Sequence, residues 1–233
     1  MSRRITVFIN ISIYIFIVLW VLSIFHNVNL QIIIFILAYY ILRKFFYPFL
    51  LKISNAYLKI ISVICFLLII ITSYNKIIKN LNFYNYSIQG IINYSNNNHQ
   101  KALFYYQKAH KLRNNDFKIL YNAGLANYQL SKYADAKILF VNAININPYF
   151  YEGYLMLAKT NIQLNDDKEA LQILNKLNQI NSSISESFYL SGILYLKLGQ
   201  LEKSKIFFNQ VLKLSKENTE LFKKSTVILH KFQ

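Results

Sequence analysis

Two patterns of apolar and polar positions divide the chain. Residues 1–82 are long apolar runs interrupted by single basic residues, whereas residues 83–218 repeat every 34 residues without a gap. Gly90, Gly124, Ala158 and Gly192 stand one period apart, as do Ala102, Ala136, Ala170 and Ser204. Large apolar residues keep the same step, with Tyr86, Leu120, Tyr154 and Phe188 early in each unit and Tyr106, Phe140, Leu174 and Phe208 late. The spacing predicts four units, 83–116, 117–150, 151–184 and 185–218. The small residues let the elements of one unit approach closely, and the late large residue fills the space between one unit and the next. A unit alone has an uncovered apolar face, so stability comes from stacking. Leu221, Phe222, Ile228 and Leu229 lie at helical spacing and predict a last helix, 219–233, that caps the fourth unit.

The first part reads as a membrane anchor of three spans. Residues 5–25 carry no charge, enough at ~1.5 Å rise per residue to cross a hydrocarbon core of ~30 Å. Arg3 and Arg4 precede this run, but it is longer than a signal-peptide core and lacks a small-x-small cleavage site, so it is expected to be retained. A second span, 28–47, requires Arg43 and Lys44 to snorkel, and a third covers 60–75. Basic residues before the first span and between the second and third place the N-terminus inside. With three spans the repeats face the periplasm or a lumen; should the short second segment not cross, they face the cytoplasm. The protein is thus expected in a bacterial inner membrane or an organelle membrane, with the lipid bilayer as one partner. Residues 76–82 contain no Gly or Ser linker, so the third span is expected to run almost directly into the first repeat helix.

Charge changes this picture little. The chain carries 26 Lys and Arg against 10 Asp and Glu, a net charge of +16, and every acid lies beyond residue 82. Only Arg3, Arg4, Arg43 and Arg113 are arginines, and an excess of Lys, Ile, Asn, Tyr and Phe is the bias of an AT-rich coding sequence. Base and phosphate recognition leans on Arg, so no nucleic-acid partner is expected. Cys65 stands alone in an apolar run, and His26, His99, His110 and His230 are scattered without ligand spacing. No metal, no cofactor and no catalytic residue is predicted, and the protein is not expected to be an enzyme. Asp166, Asp167 and Glu169 fall at the turn inside the third unit, where acids cap the following helix and favour its dipole.

The second unit carries Leu120, Ala123, Gly124, Ala136, Phe140, Ala143 and Pro148 at a spacing that resembles the tetratricopeptide repeat. The resemblance implies an all-α fold: N-terminal transmembrane helices, then a right-handed α-solenoid of four helix-turn-helix repeats with a C-terminal capping helix. Proline occupies its place only in the second unit, with Asn114, Ser182 and Lys216 elsewhere, which is expected to loosen those helix ends. Members of the family are protein-binding modules, so the resemblance implies a membrane-anchored scaffold that binds a protein partner in assembly or biogenesis of a membrane or envelope complex.

In such repeats the groove is lined by the first helix of each unit at places two, five, nine, twelve and thirteen. Those places hold Tyr84, Ser87, Ile91, Tyr94 and Ser95, then Lys118, Tyr121, Leu125, Tyr128 and Gln129, then Glu152, Leu155, Lys159, Ile162 and Gln163, then Glu186, Tyr189, Ile193, Leu196 and Lys197. Tyr84, Tyr94, Tyr121, Tyr128, Lys159 and Tyr189 are the candidate partner-binding residues, because tyrosine buries a ring while its hydroxyl still bonds. The family's clamp for a C-terminal carboxylate needs Lys, Asn and Arg at set places. One frame supplies Ser87, Ile91, Asn122, Glu152 and Met156 instead, and the next supplies Tyr121, Leu125, Met156, Glu186 and Leu190. Neither forms the clamp. Apolar helices followed at once by such repeats also resemble the C-terminal end of O-antigen ligase and polymerase-like membrane glycosyltransferases. That resemblance implies a shortened or split relative of such an enzyme, or its accessory subunit.

Overall fold

The structure, a computed structural model, describes residues 56–231 together with Lys44. The predicted segments 5–25 and 28–47 lie outside the described residues, Lys44 excepted. Among the described residues the secondary structure is entirely helical: α1 Ala56–Ser95, α2 His99–Leu112, α3 Phe117–Gln129, α4 Tyr133–Ile146, α5 Tyr151–Gln163, α6 Asp167–Ile180, α7 Ser185–Lys197, α8 Leu201–Leu214 and α9 Glu220–His230. The chain divides into two compact units, Met1–Asn82 and Phe83–Gln233, with the division inside α1.

From Ala56 to Gln89 there is no Gly or Pro to stop a helix, and α1 runs for 40 residues. Its stretch Val63–Ser95 is long and apolar enough to cross a membrane, by length and composition. Ile64, Leu67, Leu68 and Ile71 along it are each half exposed or more.

In the second compact unit α3/α4, α5/α6 and α7/α8 are helix pairs, and the end of α1 pairs with α2. Each second helix also packs on the first helix of the next pair. Three places in the 34-residue frame make the core. Ala102, Ala136, Ala170 and Ser204 are fully buried, as are Ala109, Ala143, Leu177 and Val211, with Tyr106, Phe140, Leu174 and Phe208 beside them. Ser204 can replace alanine because its hydroxyl donates to the Gly192 carbonyl at 2.9 Å.

The late ring does more than separate units: it lies flat on the small residue of its own first helix. A Cβ placed on Gly124 would come within 2.6 Å of Phe140 Cε1, and one on Gly192 within 2.9 Å of Phe208 Cε1; Gly90 meets Tyr106 in the same way. In the third unit Ala158 replaces glycine, and there the late residue is Leu174 rather than a ring. Aromatic with glycine and leucine with alanine are two fillings of one volume.

Each pair turns through one residue in the left-handed region: Asn97, Ser131, Asn165 and Gly199, with φ of 59°, 59°, 60° and 71°. The amide of that residue donates three residues back and the next amide five back, as Ser131 to the Tyr128 carbonyl and Lys132 to that of Asn127. All four turns share this pattern, which satisfies the last carbonyls of the first helix.

Missing prolines leave the second helices unchanged. They end at Leu112, Ile146, Ile180 and Leu214, the same place in every unit. The residue after each is extended, and its amide bonds the carbonyl four back, so backbone geometry stops the helix with or without Pro148. At the far end α9 packs on both α8 and α7, as the first helix of a fifth unit would, with Ser225 buried and Thr219 capping its start at 3.4 Å.

Candidate functional site

The first helices of the units carry the candidate residues, and their local starts are set by short polar signals. Asp116 Oδ1 accepts from the Lys118 and Ile119 amides at 3.0 and 3.2 Å and begins α3. Glu152 and Glu186 stand in the first turns of α5 and α7, where a carboxylate suits the helix dipole. Inside the third pair, Asp166 Oδ1 accepts from the Glu169 amide at 3.2 Å, which is the capping role expected of it. Its two acidic neighbours reach across units instead: Glu169 meets Lys137 at 2.6 Å and Asp167 meets Lys197 at 2.5 Å.

Tyr94, Tyr121, Tyr128 and Tyr189 are half-buried, and Tyr84 is exposed. Tyr84 stands edge-on to Phe83 at 5.5 Å, with the Arg113 guanidinium 5.1 Å from its ring centre. Tyr94 lies edge-on to His99, and Gln129 Nε2 reaches its hydroxyl at 3.5 Å. Tyr121 packs its ring on Phe150 and Phe140 at 4.9 and 5.7 Å. Its hydroxyl is pushed up to about 12 by burial first, then by the Glu152 carboxylate and by Tyr94. Tyr128 stands edge-on to Tyr133, and burial and then Tyr133 raise its hydroxyl while a hydrogen bond with Gln163 pulls the other way. Tyr189 stands edge-on to Phe208 at 5.8 Å.

Tyr94, Tyr121 and Glu152 therefore act on one another electrostatically across three consecutive units. Tyr106 joins them: its ring fills the core, yet its hydroxyl is held up to about 12, by burial first and then by Tyr94. The sequence reading placed Tyr106 in the core only. The signal was its place in the frame, where units two and four have phenylalanine, so the added oxygen needs a polar surrounding.

Two further relations recur. Gln129 with Tyr94 and Gln163 with Tyr128 are both 35 residues apart, one period plus one, and tie the turn ends of neighbouring first helices together. Lys159 Nζ lies 2.7 Å from Glu186 Oε1, so the one basic residue among the candidates is occupied by a partner from the next unit. Both side chains stay partly exposed, at 28% and 41%.

Residues 151–184 and 185–218, the third and fourth helix pairs, match the family described as tetratricopeptide repeat. The chain is 29% identical over 106 residues to BBSome complex member BBS4 from Bos taurus, a match covering 46% of this chain and 20% of that one. It thus spans about a fifth of that relative's length. Among solved structures it is similar to MamA 41-end from Desulfovibrio magneticus RS-1, with a TM-score of 0.57 and 19% identity over 64% of this chain and 92% of that one. It is also similar to YrrB, described as a TPR protein with an unusual peptide-binding site, with a TM-score of 0.53 and 22% identity over 63% and 76% of the two chains. At these identities the likeness is one of fold: the repeat half is a tetratricopeptide-type helical solenoid.

Proposed function

We propose that this tetratricopeptide-repeat protein is a membrane-anchored scaffold that holds a segment of a protein partner along the face formed by its first helices. The observation that carries this reading is the row of half-buried tyrosines on the end of α1, on α3 and on α7, each ring fixed by an aromatic or histidine neighbour. Such side chains present contact area at little entropic cost, which suits capture of an extended or helical segment. The description of YrrB as having a peptide-binding site and of BBS4 as a complex member support a binding role. Tyr84, Tyr94, Tyr121, Tyr128 and Tyr189 supply the contacts, and Lys159 takes part through its pair with Glu186.

Residues 1–82 form the anchor in this proposal, and the exposed apolar side chains of α1 between Val63 and Ile71 support it. The repeats 83–218, closed by the cap 219–233, then work at the bilayer surface in assembly of a membrane or envelope complex, on its periplasmic or luminal side. The test is a photo-crosslinking amino acid placed at Tyr121 or Tyr128 of the full chain in native membranes, against one at Ile138, an exposed second-helix position. Adducts from the two tyrosine positions and none from Ile138 support the docking face. Equal labelling from all three, or full extraction of the chain by alkaline carbonate, sinks the face or the anchor respectively.

A further inference from the structure

On the docking face two neighbouring unit junctions can be compared place for place, because the frame repeats. At the junction of the third and fourth units, Lys159 reaches forward 27 residues to Glu186 and pairs with it at 2.7 Å. One period earlier the same two places hold Leu125 and Glu152. The acid is kept and the cation is gone: Glu152 makes no ion pair among the described residues, although α3 and α5 pack side by side as first helices of consecutive units. Helix-dipole stabilisation alone does not distinguish the two acids, since both sit in first turns and Glu186 still takes a lysine. Leu125, at the place that Lys159 holds one period later, packs with Tyr121 against the cluster of Ala136, Phe140 and Leu157, and the Glu152 carboxylate acts electrostatically on the Tyr121 phenol. An apolar stem can lie on these while its charged head reaches the carboxylate.

We propose that Glu152, with Tyr121 and Leu125, forms a subsite that receives the ammonium of a lysine side chain from the docked protein segment, in the place that Lys159 fills at the next junction. This rests on the docking face described above and adds the chemistry of one residue of the partner. A lysine accepted here extends its aliphatic stem over Leu125 and donates to Glu152, with the phenol of Tyr121 beside it. That phenol stays neutral near Glu152, so its oxygen remains available as an acceptor.

The test uses the full chain in detergent micelles with tyrosine labelled at Cζ, the Tyr121 signal being assigned by Tyr121→Phe. N-acetyl-lysine amide is titrated in, with N-acetyl-norleucine amide as the neutral probe of the same shape. The expected result is a saturable shift of the Tyr121 signal with the lysine probe alone. Glu152→Gln should weaken that affinity roughly tenfold, the loss of one charge-assisted bond. Leu125→Lys, which restores the internal pair seen at the next junction, should abolish the response because the place is filled. A Tyr121 signal that ignores the lysine probe, answers norleucine equally, or responds unchanged in Glu152→Gln overturns the subsite. Those outcomes leave crosslinking from Tyr121 and Tyr128 untouched, so the docking face stands or falls separately.

Discussion

Replacing Gly124 with alanine isolates the packing rule that builds each repeat. The new Cβ would lie 2.6 Å from Phe140 Cε1 and 2.9 Å from Cδ1, about 1 Å inside ordinary carbon contact. Phe140 is fully buried and packs with Tyr121, Ala136 and Leu157, so the ring has no free direction in which to move. Overpacking of this kind costs roughly 1–3 kcal/mol, and the better helix propensity of alanine returns about 1. The upper half of the range applies to a ring held on all sides, giving a net loss of about 1–2 kcal/mol. Phe140→Leu alone costs roughly 1 kcal/mol, for the volume it leaves. The double substitution recreates the pair already present as Ala158 and Leu174, both fully buried. It should therefore recover about 1–2 kcal/mol relative to the sum of the singles.

Amide exchange of α3 and α4 in the full chain, under conditions where unit two opens locally, measures all three variants against the parent. Protection in α7 and α8 serves as an internal reference, since repeats couple through nearest neighbours. Additive losses in the double variant would refute the idea that the small and large places are one filled volume.

Further expectations concern the turns, the ion pairs and the phenols. Ser131→Gly should stabilise the chain by about 0.5–1 kcal/mol by relieving a left-handed serine, while Gly199→Ala should destabilise it by about 1 kcal/mol although nothing lies within 4 Å of that position; thermal melts of each variant check the signs. The pair of Lys137 and Glu169, partly exposed at 29% and 37%, should give a coupling of about 0.2–1 kcal/mol in a double-mutant cycle and lose most of it in molar salt. Tyr106 and Tyr121 keep their protons in the folded chain up to about pH 12, above the ordinary value of 10. Between these values the unfolded chain binds fewer protons, so the stability these residues contribute is complete below pH 10 and lost as pH rises to 12. Tyr106→Phe should be nearly neutral at pH 7 and should flatten the alkaline loss in a denaturant titration repeated across that window.

Much of the architecture was legible because it repeats. The small, large and buried places recur at one period, and an interval of 34 residues that holds two apolar helical stripes allows little besides a stacked helix pair. Of the acids of the third unit, Asp166 was readable as a cap, whereas the ion pairs of Asp167 and Glu169 across units were not. Legibility stopped where residue types change while geometry does not. Asn97, Ser131, Asn165 and Gly199 share one backbone conformation but present no common letter. The missing prolines were expected to loosen three helix ends, yet an extended residue bonded four back stops all four second helices alike.

The sequence by itself determined the class of fold and the core places of its repeated units. Both are properties of position within one repeat, and a one-dimensional period records them completely. The tertiary structure alone decided that Phe140 lies on Gly124, that Lys159 is held by Glu186 while Glu152 has no such partner among the described residues, and that the Tyr94 hydroxyl meets Gln129 of the next unit. Those outcomes depend on the offset at which one helix pair stacks on the next. That offset is set by packing between units, where side chains 27 or 35 residues apart become neighbours, and no periodicity within a unit contains it.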